Sequence, residues 1–197
     1  MNVVEISQVA SASLPLNEFA DYLKVGRALS GPTPSDVVLE HCLRASLSAI
    51  EARTGRALIS RDFSWQVTKW RDPSCTALPI APVVAIVSLT VVDNQDVQIT
   101  ADVTSYRLSA GTARPRIAAT GASLPDIDEG GHADIVITAG YGTWGDIPHD
   151  LQQAVFLLAA NYYEKRNDLG SDGLGMPFGV LALIESYRSV RLLRGDG

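Results

Sequence analysis

Thr33-Pro34-Ser35-Asp36-Val37-Val38-Leu39-Glu40-His41-Cys42-Leu43-Arg44-Ala45-Ser46-Leu47-Ser48-Ala49-Ile50-Glu51-Ala52-Arg53-Thr54-Gly55 is a helix with both ends written into it. Thr33 can cap the free N–H groups of the first turn. Pro34 suits the first helical position, where no N–H partner is needed, and Asp36 places negative charge near the positive end of the helix dipole. Leu39, Cys42, Leu43, Ser46 and Ile50 recur at steps of three and four, so they form one inward face. Gly55 falls where a helix commonly ends on a left-handed residue. Thr54-Gly55-Arg56 is therefore explained as a helix stop without any ligand role.

On the N-terminal side, Gly31-Pro32-Thr33-Pro34 separates this helix from a shorter one. The shorter helix, Leu16 to Val25, carries Leu16, Phe19, Ala20 and Leu23 on one face. Residues 1–13 are small and polar and are expected to form a flexible N-terminal arm.

On the C-terminal side the period changes. Phe63, Trp65 and Val67 alternate with Ser64, Gln66 and Thr68, the pattern of a half-buried strand. Val83 to Val92 is β-branched and ends at the turn signal Asp93-Asn94. Val97-Gln98-Ile99, Tyr106-Arg107-Leu108, Arg116-Ile117-Ala118 and Asp134 to Ala139 read as further strands. Pro79 and Pro82 lack an N–H for a central ladder and belong at an edge or entry. Helix returns from Asp146 to Asn167, with a centre, Ala154 to Ala160, that is apolar all round and so central to the fold. Three glycines between Asp168 and Met176 predict a loop, and a last helix is expected from Pro177 to Arg194. On it Val180, Leu183, Ile184, Tyr187 and Val190 share a face that Arg191 and Arg194 continue, so the inward stripe turns basic at its end.

The expected fold class is α+β: a helical bundle of about four helices with a small antiparallel β-sheet inserted between the second and third. The domain reading is a flexible arm at 1–13, a helical domain from 14–60 and 143–197, and an inserted β region at 61–142.

Composition bounds the function. With 197 residues, 46% hydrophobic and 19% charged, the chain can bury a core. No window of roughly 18 uncharged apolar residues occurs, so no membrane span is expected. Met1-Asn2-Val3-Val4-Glu5 lacks the basic start and apolar run of a signal peptide. Cys42 and Cys75 are too few for a disulfide framework, and Cys42 lies on the inward helix face; both fit a reducing cytoplasm. A net charge of −6 argues against tight non-specific DNA binding.

No catalytic, cofactor or metal constellation emerges. Gly170, Gly173 and Gly175 have the wrong spacing for a phosphate loop and follow no strand. Asp126-Ile127-Asp128-Glu129-Gly130 begins like a calcium loop but lacks the third ligand and the distal glutamate. His41, His132 and His149 stand singly, without zinc spacing. No nucleophile elbow is present. Trp65, Trp70, Tyr106, Tyr141 and Trp144 suit a core better than a sugar site. Glu164 and Arg166 close the central helix, either as a solvated end or as a subunit contact.

Five short motifs occur in order: Glu51 to Leu58, Leu78-Pro79-Ile80-Ala81-Pro82-Val83, Ala139-Gly140-Tyr141-Gly142, Ile147 to Ala154, and Asn161-Tyr162-Tyr163-Glu164-Lys165-Arg166. Together they resemble the head–tail connector (adaptor) proteins of long-tailed phages and of gene transfer agents, over about residues 14–193. The chain departs from that pattern at Leu124, which stands before Pro125 where an aromatic is expected. The resemblance implies no enzyme and no cofactor. It implies a dodecameric ring that joins the portal protein to a tail-side stopper or completion protein and lets double-stranded DNA pass through its lumen without specific binding. It also implies assembly in the cytoplasm and a final place at the head–tail junction, with a C-terminal segment docked on the portal. The candidate portal contacts are Tyr187, Arg188, Arg191, Leu192, Leu193 and Arg194; the candidate subunit contacts are Glu164 and Arg166. The loop 168–176 is the candidate hinge for that segment. The alternatives are another ring protein of the same junction, a stopper or tail terminator, or a hydrolase or sugar-binding module. Helix-led element order disfavours the former, and the lack of clustered titratable groups disfavours the latter.

Overall fold

A computed structural model describes residues 2–24, 34–111, 114–166 and 175–188. The chain divides into two compact units: Met1–Val9 with Arg56–Gly142, and Ala10–Gly55 with Thr143–Gly197.

The first unit is all β. Its strands are β1 (Asn2–Glu5), β2 (Arg61–Val67), β3 (Cys75–Ala77), β4 (Val83–Val92), β5 (Gln98–Thr100), β6 (Tyr106–Ser109), β7 (Arg116–Ala119) and β8 (His132–Ala139). Five form a sheet in the order β1-β2-β8-β4-β5 and three form a sheet in the order β3-β7-β6. Every pairing is antiparallel. The centre is β8, where the period of two is complete. Ala133, Ile135, Ile137 and Ala139 are buried, and the residues between them are half-exposed. Register then sets the core: Trp65 lies opposite Ile135 and Phe63 opposite Ile137 on one side, and Leu89 opposite Ile135 on the other. Ile117 and Tyr106 of the smaller sheet join the same core, with Trp70, Leu78 and Leu124. Leu124 is thus a packing residue, and the next residue, Pro125, accepts a 2.7 Å hydrogen bond from the Trp70 indole. On β4 the pairing skips at two places, leaving Val84 and Val87 as the extra residues of two bulges, both turned to solvent.

The second unit is helical. It contains α1 (Leu16–Tyr22), α2 (Pro34–Thr54), α3 (His149–Glu164) and α4 (Phe178–Ile184). The inward face read for α2 is buried at Leu39, Cys42, Leu43, Ser46 and Ile50. Ser46 is satisfied there by donating to the Leu43 carbonyl at 2.8 Å. Gly55 ends the helix at φ +68°, and its N–H donates to the Glu51 carbonyl at 2.8 Å. Leu151, Ala154, Val155, Leu158 and Ala159 of α3 are buried, and α3 packs against both α2 and α4. Phe19, Tyr22, Trp144 and Phe156 form one aromatic cluster, with Trp144 and Phe156 centroids 5.2 Å apart. The Trp144 indole donates to Glu18 at 3.0 Å.

This architecture corrects the expected one. The protein is a mixed α+β fold and not a helical bundle carrying a small insert. Its eight described strands form two sheets around a core of their own. The large sheet also takes its first strand from the N-terminus, so it is not made only of chain between two helices. Residues 2–5, expected in a flexible arm, form β1. The pattern hides this strand because Val3 and Val4 are adjacent apolar residues on a sheet edge, which gives no alternation to read. The last helix is also shorter than expected. Its α-helical part ends at Ile184, Glu185–Tyr187 is a 3-10 turn, and Arg188 is extended at ψ 130°. A 3-10 turn does not keep the α-helical step, so the stripe is not continued through Glu185–Arg188; its extension to Arg191 and Arg194 lies outside the described residues.

Candidate functional site

Three of the five motifs meet. Chain leaving the Gly55 stop pairs with the strand that enters β4: the Ala57 N–H donates to the Ala81 carbonyl at 2.9 Å. The Gly140 N–H donates to the Pro82 carbonyl at 3.0 Å, the Tyr141 N–H to the Leu58 carbonyl at 3.0 Å, and the Ser60 N–H to the Gly142 carbonyl at 2.8 Å. Gly140 has φ +134°, and a Cβ there would sit 2.4 Å from the Ser60 Cα, so a side chain is excluded by backbone. The Arg56 guanidinium donates to the Tyr141 hydroxyl at 3.1 Å. Residues 56–60, the Pro-Ile-Ala-Pro segment and the Ala-Gly-Tyr-Gly segment therefore build one main-chain clasp within the sheet unit. Their chemistry is close backbone approach, with no catalytic group.

The helix-start motif is likewise structural. The Thr143 N–H and hydroxyl both donate to the Asp146 carboxylate, at 2.8 and 2.7 Å. Those bonds hold the Asp146 carboxyl below its usual range. They fix the 3-10 turn Trp144–Asp146 that leads into α3.

Solved structures share this fold. The neck of an empty GTA particle, computed with C6 symmetry, contains a chain 46% identical to this one, with a TM-score of 0.88 and 99% of each chain covered. The virion of a native gene transfer agent particle contains one at 46% identity and a TM-score of 0.86, and the neck of a native particle computed with C12 symmetry one at 45% and 0.84, each over 99% of both chains. The chain belongs to the head–tail connector family of long-tailed phages and gene transfer agents. No protein-family model and no curated protein matches it.

The connector surfaces expected from sequence are only partly in view. Tyr187 is half-buried, its hydroxyl 3.5 Å from the Asp150 carboxylate. Arg188 is exposed and forks onto Glu185 at 2.9 and 3.2 Å, a surface pair worth little by itself. Arg191, Leu192, Leu193 and Arg194 lie outside the described residues, as does the candidate hinge loop except for Gly175 and Met176. Glu164 and Arg166 are both exposed at the end of α3 and make no ion pair with each other among the described residues. Instead the Arg166 guanidinium lies 4.3 Å from the Tyr163 ring centre and bonds the Tyr163 carbonyl, as a cation near a helix C-terminus should.

Sequence reasoning missed the two ends of the large sheet. Val4 and Ile6 are 51% and 56% exposed beside β1, and Ile99 is 65% exposed on β5. Next to β5 an open cavity of about 280 Å³ is lined by Val91, Val97, Ile99, Ala101 and Pro125, with Asp93, Asp102, Asp126 and Asp128 around them. The signal was present in the sequence: both edge segments carry apolar residues with no lysine or proline among them. Among the described residues no group of three His, Cys, Asp or Glu side chains could hold a metal ion.

Proposed function

We propose that this chain is a structural protein of the head–tail junction, and within it the connector ring between portal and stopper. The observation that carries this reading is the match over 99% of the chain, at 45–46% identity, to chains in gene transfer agent necks. The cyclic symmetry used for those necks supports a ring, and the C12 case supports twelve copies. The matched chains are parts of particles, which supports a role without catalysis. A net charge of −6 suits a lumen through which DNA slides without being held.

Within that reading, the C-terminal segment from Tyr187 to Arg194 docks on the portal, and Glu164 and Arg166 face a neighbouring subunit. The segment combines Leu192 and Leu193 with Arg188, Arg191 and Arg194, which together supply apolar burial and charge to an acidic partner surface. The test is co-purification with the portal protein from the same locus, using the full chain and a chain lacking residues 186–197. The full chain is expected to co-elute with portal and the truncated one to elute free. Equal binding by both would remove the segment from the interface.

A further inference from the structure

We infer that neighbouring copies in the ring join by the edges of the five-stranded sheet, β5 of one copy receiving the β1 segment of the next. This rests on the ring reading above and names the surface that closes the ring.

Three observations carry it. First, β1 and β5 are the two ends of one sheet. A closed ring needs two different complementary surfaces on each subunit, and a sheet with two free edges supplies them. The Ile6 N–H donates inward to Asp62 at 3.0 Å, so by the alternation of an antiparallel ladder Val3 and Glu5 turn their main-chain groups outward. On the other edge Val97 and Ala101 bond inward to Asp93 and Leu89, so Gln98 and Thr100 turn theirs outward. Second, both edges expose apolar side chains among their polar ones, and neither carries the lysine or proline by which natural edges are protected. Val3, Val4 and Ile6 are exposed on one, Val97 and Ile99 on the other. Third, the cavity lined by Val91, Val97, Ile99, Ala101 and Pro125 opens beside β5. A strand added to an edge sends alternate side chains to one face, where such a cavity takes one of them.

Charge selects head-to-tail over like-to-like pairing. Asp93, Asp102, Asp126 and Asp128 crowd the β5 end, and two such ends facing each other repel. At the β1 end Glu5 is neutralised by Arg61, whose Nε lies 2.8 Å from its carboxylate.

The experiment assembles the full chain on its portal and follows it by negative-stain microscopy and by cross-linking. Val4→Cys and Gln98→Cys are combined in a Cys75→Ser chain, Cys42 being buried, and treated with a short bismaleimide. The expected result is a ladder of covalent oligomers climbing to the ring. Ile99→Asp and, separately, Val4→Asp are expected to lower ring yield at least tenfold with circular dichroism unchanged. A wild-type ring without the ladder, or rings of normal yield from both charge variants, overturns the edge contact and leaves the ring reading standing. Dimers from Gln98→Cys alone overturn the head-to-tail order. Failure of the wild type to form any ring with portal brings down the ring reading and this inference with it.

Discussion

Among the described residues, the helical unit exposes the large apolar side chains Tyr22, Val37, Val38 and Phe178, whereas the sheet unit exposes Val3, Val4, Ile6, Val84, Val87, Val97, Ile99 and Val103. The two units bury their centres equally well: Ile135 and Ile137 of β8 are as inaccessible as Leu151 and Val155 of α3. The difference lies at their margins. A helix closes its main-chain hydrogen bonds within itself, and its apolar stripe needs only a neighbour to cover it. A sheet that does not close ends in two rows of unpaired groups. Val84 and Val87 are accounted for locally, as the extra residues of the β4 bulges. The valines and isoleucines around β1 and β5 have no such local account; they are the side chains that the inferred edge contact would cover.

Equal cores should respond equally. Ile137→Ala and Leu158→Ala each remove a buried branched side chain, and each is expected to cost about 2–5 kcal/mol in chemical denaturation. Hydrogen exchange should localise the first loss to the sheet and the second to the helices; loss spread evenly over both units in either variant would mean that they unfold as one.

The glycines separate the units more sharply. Gly140→Val places a side chain against Ser60 backbone at a left-handed φ, and we expect a loss of about 3 kcal/mol with the clasp opened. Gly55→Ala in the helix stop meets the left-handed penalty, about 1 kcal/mol. A smaller loss at Gly140 than at Gly55 would show that the clasp is not held by backbone contact.

Single side-chain bonds matter less. Tyr141→Phe removes one hydrogen bond of Arg56 and Trp144→Phe one of Glu18. Each is expected to lower stability by about 1 kcal/mol in thermal melts.

The smallest effect is with pH. Asp72 and Asp102 in the sheet unit and Asp146 in the helical unit have carboxyls lowered from 3.8 by hydrogen bonds, those of Ser74, Thr104 and Thr143 leading. A lowered folded pKa gives stability that is full above the unfolded value and is lost as pH falls through the folded one. Glu40, held down from 4.5 by hydrogen bonds from Ser11 and Arg44, adds to these three carboxyls, so melting temperature should be flat above about pH 4.5 and decline slightly below it. Asp146→Asn should remove only the Asp146 share of the decline, leaving those of Glu40 in the same unit and of Asp72 and Asp102 in the sheet unit.

How much of this was legible follows from where pattern and packing agree. α2 was readable because five inward residues and a glycine stop all point the same way. β4 and β8 were readable because β-branched residues or strict alternation mark them over eight or more positions. β1 and β3 were not: β1 has no alternation over its four residues, and β3 has only three, of which the polar Thr76 is the buried one. The last helix was overextended because its apolar spacing continues past Ile184 while the backbone tightens at Glu185–Tyr187. The motifs could be recognised as a set, but not their meeting: Arg56 and Tyr141 are 85 residues apart, and nothing local says that they touch. The apolar edge segments are visible in the sequence, but that they are the two ends of one sheet is a property of the folded sheet.

The measurement that bears most directly on the account is the mass of the complex this chain forms with the portal from its own locus, taken by native mass spectrometry and checked by microscopy. The account predicts a ring of about twelve copies seated on the narrow end of the portal, each copy in lateral contact with the next. Portal emerging bare, or carrying scattered single copies with no lateral contact, would contradict it.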